Sequence, residues 1–291
     1  MTTPAEAPLE APTIPYVDPG RYEAARTRGR RNAVIASIST VVFFAVVGFL
    51  VTSSPGWPQV QETFFNWDAA VEAWPTLISA FVLNIKIFLV AEVFILILAL
   101  LIALARGLRG PVFLPLRILA TVYVDFFRGV PTILVILLLG FGVPALQLKG
   151  VTNDPIVWGT VALILSYTAY VAEVYRAGIE SIHPSQRAAA RSLGLSSIQA
   201  TRYVVLPQAI RRVVPPLLND FIALQKETAL VSLLGPVEVL RAAQIDAASN
   251  FNYTPYVVAA LLFVAITLPL TRLTDWLQRR STSRRAASST T

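Results

Sequence analysis

Apolar residues in this chain come in long runs divided by short polar stretches. Ala33 to Val51 holds nineteen residues without a charge, and at about 1.5 Å rise per residue it reaches roughly 28 Å, the thickness of a bilayer's hydrocarbon core. Five further runs are of comparable length: Thr76 to Ala105, Leu116 to Ala145, Ile156 to Arg176, Gln208 to Leu234 and Pro255 to Leu277. None shows the two-residue alternation of a membrane barrel. A helix pairs its backbone groups within its own segment, so the runs are predicted to be helical spans. The expected fold class is therefore an all-α membrane protein of about six transmembrane helices. Gly129-Val130-Pro131 is expected to kink the third run or divide it into two short helices, and Pro215-Pro216 to bend or break the fifth. No clear small-residue cleavage site follows the first run at Thr52-Ser53-Ser54-Pro55, so that run is expected to be retained and not removed as a signal peptide.

Composition agrees with this reading: 55% of residues are apolar and 14% charged, against roughly 25% charged in soluble domains. The charges that remain are distributed unevenly. Arg21, Arg26, Arg28, Arg30 and Arg31 precede the first run, and Arg106, Arg109 and Arg117 lie between the second and third. Arg187, Arg191, Arg202, Arg211 and Arg212 fall between the fourth and fifth, and Arg272, Arg279, Arg280, Arg284 and Arg285 end the chain. With six spans these regions share one side. The opposite connections offer no Lys or Arg from Thr52 to Pro75, then only Lys149 and Arg241. The positive-inside rule then puts both termini in the cytoplasm. The same asymmetry accounts for the net charge of +7 without nucleic acid, since no aromatic residues interleave with the arginines.

The chain has no cysteine and one histidine, His183, beside Pro184 with no acidic or histidine neighbours, so no metal site is expected. No phosphate-binding loop of the Walker type occurs, so any ATP and Mg used in transport must be bound by another polypeptide. Residues 1–32 and 278–291 are expected to be disordered cytoplasmic tails. The first is rich in proline and acidic residues, and the second in Ser, Thr, Ala and Arg.

The polar stretch between the fourth and fifth runs has more local signals than a connection needs. Pro184 suits a first helical position and Gly194 the left-handed residue that closes a helix, which predicts a short helix ending at Gly194. Ser196-Ser197-Ile198-Gln199 fits a capping box, and a second helix is expected to run toward Leu206, with Pro207 marking its end or a kink. Ala188, Ala189 and Ala190 give this loop a small-sided surface, and Leu193, Leu195 and Ile198 are apolar anchors between arginines. A docking element and a loop packed beneath its own bundle both fit these features.

The order Gln186, Ala188-Ala189-Ala190, Leu193-Gly194, then Val204-Val205-Leu206-Pro207, resembles the cytoplasmic loop signature of ATP-binding-cassette (ABC) importer permeases. Tyr123-Val124-Asp125-Phe126-Phe127-Arg128-Gly129-Val130-Pro131 and Tyr170-Val171-Ala172-Glu173-Val174-Tyr175-Arg176 are similar to its polar-amino-acid branch, as is the stretch from Pro215-Pro216 through Leu224-Gln225-Lys226-Glu227-Thr228. The resemblance spans residues 76–277, leaving 33–51 as an additional N-terminal transmembrane helix. It implies a type I ABC importer permease of the bacterial cell membrane with no catalytic site and no bound cofactor. It also implies a second permease (a copy or a paralogue), ABC ATPase subunits and an extracytoplasmic amino-acid-binding protein. The loop at about 181–207 would be the coupling element, with contacts from Gln186, Arg187, Ala188, Ala189, Ala190, Arg191, Leu193, Gly194, Leu206 and Pro207. The family's signature usually begins with Glu where this chain has Ala188, so coupling would lean on shape, Arg187, Arg191 and the Gly194 turn.

Charges within the spans are costly in lipid and tend to face protein or water. Glu173 and Arg176 stand three residues apart and can pair, and Asp125 and Arg128 share that spacing. Lys226, Glu227 and Thr228, with Asn219, Glu173 and Arg128, are candidates for a solute pathway or gate, because a zwitterion needs both a cation and an anion to replace its hydration. Asp220 and Gln225 are further candidates. Lys86 and Glu92 lie about 240° apart around an ideal helix and cannot face one partner. The outer loop from Gly235 to Tyr253 resembles the family's gate region. An alternative is a self-contained ion-coupled transporter or channel using Lys86, Glu92, Asp125 and Glu173 as a relay.

Overall fold

The computed structural model describes the backbone of residues 19–108 and 110–288, and side chains within 31–108 and 110–279. Arg109, residues 1–18 and 289–291, and the side chains of the terminal arginine clusters outside those ranges lie outside the described residues. The described chain divides into two compact units, residues 1–60 and 61–291.

The first unit is dominated by helix α1 (Pro19–Thr52). Its residues 31–52 expose their side chains all round, as a lipid-facing helix does. The helix begins at Pro19, so residues 19–32, expected to be disordered, are helical. Tyr22-Glu23-Ala24-Ala25-Arg26 are mostly strong helix formers, and extending an existing helix is far cheaper than nucleating one. Helix α2 (Trp57–Phe64) follows.

In the second unit, α3 (Trp67–Gly107) leads to a bent pair, α4 (Leu114–Gly129) and α5 (Thr132–Ala145). The two meet at 103° across Val130-Pro131, which realises the predicted division. Helix α6 (Pro155–Glu180) is followed by two short helices, α7 (Pro184–Ser192) and α8 (Ser197–Ala200). A π-helical turn, Thr201–Val205, joins α8 to α9 (Leu206–Glu227), which tightens into a 3₁₀ segment at Thr228–Leu234. Helices α10 (Val239–Asn250) and α11 (Thr254–Ser288) complete the chain. The last carries residues 278–288, also expected to be disordered, onward from the final apolar run. Among the described residues four helices are long and apolar enough to cross a membrane, and up to six spans result if each bent pair counts as one.

Pro215-Pro216 does not break the fifth run, since both prolines lie inside α9. Membrane helices tolerate such positions when neighbouring elements hold the segment, and here α9 packs on α3, α6 and α11.

Helix α6 is the centre of the unit, packed against α3, α4, α5 and α9. Its small residues allow this close approach. A Cβ built on Gly178 would run into the β-branched side chain of Val213 on α9, so a larger residue there forces the crossing to shift. One apolar core joins α3, α4, α5, α6 and α9 through residues such as Ile95, Val124, Ile136, Leu163 and Leu224. A second core joins α3, α10 and α11 through Leu77, Phe81, Val239 and Leu262.

Candidate functional site

Helix α7 and the turn after it are built by local rules. The His183 imidazole Nδ1 accepts from the Ser185 N–H at 3.2 Å at the N-terminus. At the other end Gly194 takes φ +85°. The Leu195 N–H then reaches the Ala190 carbonyl at 3.2 Å and the Gly194 N–H reaches that of Arg191 at 3.0 Å, the paired bonds of a Schellman motif. The capping box is present: the Gln199 N–H donates to Ser196 Oγ at 3.2 Å, and Gln199 Oε1 accepts from the Ser196 N–H at 2.8 Å.

The second loop helix does not stop at Pro207. Proline cannot donate a backbone hydrogen bond, and the chain absorbs this by widening one turn. The Leu206 N–H bonds to the Thr201 carbonyl, five residues back, while the Gln208 side-chain amide donates to the Val204 carbonyl at 2.9 Å. A continuous helical path therefore runs from the loop into α9. The Arg212 guanidinium also donates to the Ser181 carbonyl at the end of α6, so both ends of the loop are tied to each other.

At 100° per residue, α7 has two opposed faces. Arg187, Ala188 and Arg191 line a cavity beneath the ends of α3 and α6, and Ala190 is buried. Gln186 and Ala189 are exposed on the opposite side, continued by Leu193, which is 84% exposed. Ile198 is 79% exposed, and Leu206 is also open. Pro207 is exposed at the start of α9.

The intramembrane candidates do not converge. Glu173 joins α6 to α3 through Arg106, whose guanidinium donates to its carboxylate at 2.8 Å, and Arg176 Nε donates to it at 3.0 Å. Arg176 also pairs with Glu180. The Arg106 contact links residues 67 apart in sequence, which spacing on one helix could not reveal. Asp125 and Arg128 are both exposed and form no ion pair with each other. Lys86 is exposed and Glu92 half-buried.

Lys226, Glu227 and Thr228 point three ways, as consecutive helical residues must. Lys226 is exposed on the same face of α9 as Asn219, two turns earlier. Glu227 faces Tyr167 and Thr132. Thr228 is fully buried, and its hydroxyl accepts from the Asn84 amide of α3 at 3.1 Å. The same amide donates to Glu238 at 2.9 Å, while Asn84 Oδ1 accepts from the Val239 N–H at 3.1 Å. Glu238 in turn caps α10, accepting from the N–H groups of Leu240 and Arg241 at 3.0 and 2.8 Å. This buried knot ties α3, the 3₁₀ segment and α10 together. The only signal for it in the sequence was an isolated Asn within an apolar run. Asp220 Oδ2 and Glu227 Oε2 are buried without a hydrogen-bond partner among the described residues.

Residues 113–283 match the family of binding-protein-dependent transport system inner membrane components. The probable amino-acid permease protein YxeN of Bacillus subtilis is 34% identical over 215 residues, covering 74% of this chain and 95% of that protein. The glutamine transport system permease protein GlnP of Escherichia coli is 32% identical over 217 residues, with coverage of 74% and 97%. A solved structure described as an amino acid ABC transporter with histidines superposes with a TM-score of 0.66 at 34% identity, over 72% of this chain and 96% of that one. The all-helical architecture is that of type I ABC importer permeases. From the match over residues 113–283 and this similarity along nearly the whole length of the relatives, the chain belongs to the binding-protein-dependent transport system inner membrane components, the permeases of ABC importers.

Proposed function

We propose that this chain is the permease of an ATP-driven amino-acid importer, that two permeases form the translocation pathway, and that the α7–α8 hairpin is the coupling element seated on a separate ATPase. The carrying observation is the hairpin itself. It is ordered by caps at both ends, fastened to α6 and α9, and turns Gln186, Ala189, Leu193 and Ile198 outward. An apolar pair as open as Leu193 and Ile198 stabilises nothing within this chain and gains its free energy on docking. Because a continuous helical path joins the loop to α9, a push on the hairpin is transmitted into the membrane. ATP and Mg belong to the ATPase subunits, and an extracytoplasmic binding protein delivers the solute.

In this reading the protein crosses the cell membrane several times with both termini in the cytoplasm, as the arginine-rich connections favour. The amino-acid class follows from the named relatives. Asn219 and Lys226, exposed on one face of α9, would line the pathway between two permeases, with Glu227 behind them. An ion relay of Lys86, Glu92, Asp125 and Glu173 gains no support, since Glu173 is ion-paired and Lys86 and Asp125 are exposed. Purification of the tagged chain from its host under gentle solubilisation tests the proposal. Recovery of an ATPase and an amino-acid-binding protein is expected. Isolation of the chain alone, with ion-driven uptake in liposomes, would replace this reading.

A further inference from the structure

The cavity behind α7 has a composition that coupling does not explain. It measures about 1170 Å³ and is lined by Arg106, Arg117, Arg176, Arg187 and Arg191, which come from α3, α4, α6 and α7. Against these five guanidiniums stand the carboxylates of Glu180, at its wall, and Glu173, which holds Arg106 and Arg176. A formal surplus of three positive charges is left. Arg117, Arg187 and Arg191 make no ion pair among the described residues. Arg117 Nε is buried with no hydrogen-bond acceptor among the described residues, an arrangement that costs free energy unless an anion or other acceptor meets it. His183 also lines the cavity, and the rest of the wall is apolar; Leu104 and Ile179, from the spans α3 and α6, are 53% and 39% exposed. The site therefore opens on the surface that meets acyl chains, at the level where α3 and α6 end.

We infer that this cavity binds the headgroup of an anionic phospholipid. Its phosphodiester would lie among Arg117, Arg187 and Arg191, and its acyl chains would run along Leu104 and Ile179. Guanidinium forks match phosphate oxygens bidentately, and basic pockets between spans at the cytoplasmic surface suit such headgroups. A lipid fits better than a protein segment because the cationic wall passes without a break into lipid-facing side chains. The face of α7 offered to the ATPase is the opposite one, so a lipid here would brace the coupling helix from behind. The inference takes its membrane side from the orientation proposed above.

The test is native mass spectrometry of the delipidated full-length chain titrated with phosphatidylglycerol or phosphatidylcholine. Phosphatidylglycerol is expected to be retained preferentially. Arg187→Gln with Arg191→Gln should weaken retention about thirtyfold, from about 1 kcal/mol per arginine near the membrane surface. Ala188→Glu, an exposed position that leaves the fold alone, should weaken it by placing a carboxylate in the cavity. Arg211→Gln, on the exposed side of α9, should leave it unchanged. Equal retention of the two lipids, or no response to either cavity variant, overturns the inference. Displacement by inorganic phosphate at matched concentration also overturns it, showing a free-anion site. The readout needs no ATPase: lipid selectivity without ATPase coupling counts only against the proposed function, and coupling without selectivity only against this site.

Discussion

The α7–α8 hairpin and the buried knot around Asn84 solve the same problem, fixing the angle between helices, by opposite means. In the hairpin the bonds that shape the turn join residues only a few positions apart: Ser196 with Gln199, Leu195 with Ala190, and a left-handed Gly194. In the knot Asn84 meets Thr228 and Glu238 across 144 and 154 residues. The hairpin keeps Leu193 and Ile198 exposed, while the knot's polar side chains are completely buried. An element built from local bonds keeps its own shape while its outer face remains free to dock, whereas the knot fixes the position of one segment against others and has no surface to offer. The first arrangement suits a moving contact and the second a fixed hinge point.

The largest effect should come from breaking the knot. Glu238→Ala removes the α10 cap and one of the two acceptors of the Asn84 amide, and should cost about 2–4 kcal/mol, read as a lower melting temperature in detergent. An unchanged melting temperature would mean that the knot is incidental. Next comes the crossing above the hairpin, where Gly178→Ala forces a methyl group onto Val213 and should destabilise by about 1–3 kcal/mol. Arg106→Gln opens the partly exposed link between α3 and α6, for about 1 kcal/mol. Lys226→Met, at an exposed position, should leave melting and assembly unchanged and lower solute-stimulated turnover. Loss of assembly would make Lys226 a structural residue.

The same contrast explains what the sequence disclosed. Helix caps, stop signals and span lengths are written in neighbouring residues, so the hairpin, the Gly194 turn and the break at Val130-Pro131 were legible. The Lys226-Glu227-Thr228 group was not, because its fate depends on α3 and α6, far away in the chain. Of the bend or break expected at Pro215-Pro216, the break does not occur for a related reason: proline opposes a helix locally, and the packing of α9 on its neighbours overrides it. The helical residues 19–32 and 278–288 look disordered by composition, yet they extend helices that the adjacent apolar runs have already nucleated. The division of α7 into a cavity face with Arg187 and Arg191 and an outer face with Gln186 and Leu193 needed the surroundings of the helix as well as its sequence.

The central claim is that the hairpin's shape transmits the ATPase's work. It is tested most directly by solute- and binding-protein-stimulated ATP hydrolysis of the reconstituted complex carrying Gly194→Val. A β-branched residue at φ +85° opposes the turn at a cost of about 1–2 kcal/mol, too little to unfold the spans. Normal membrane insertion is expected, with stimulation and uptake lost. Full stimulation at normal expression would contradict the claim and remove the hairpin from the coupling mechanism.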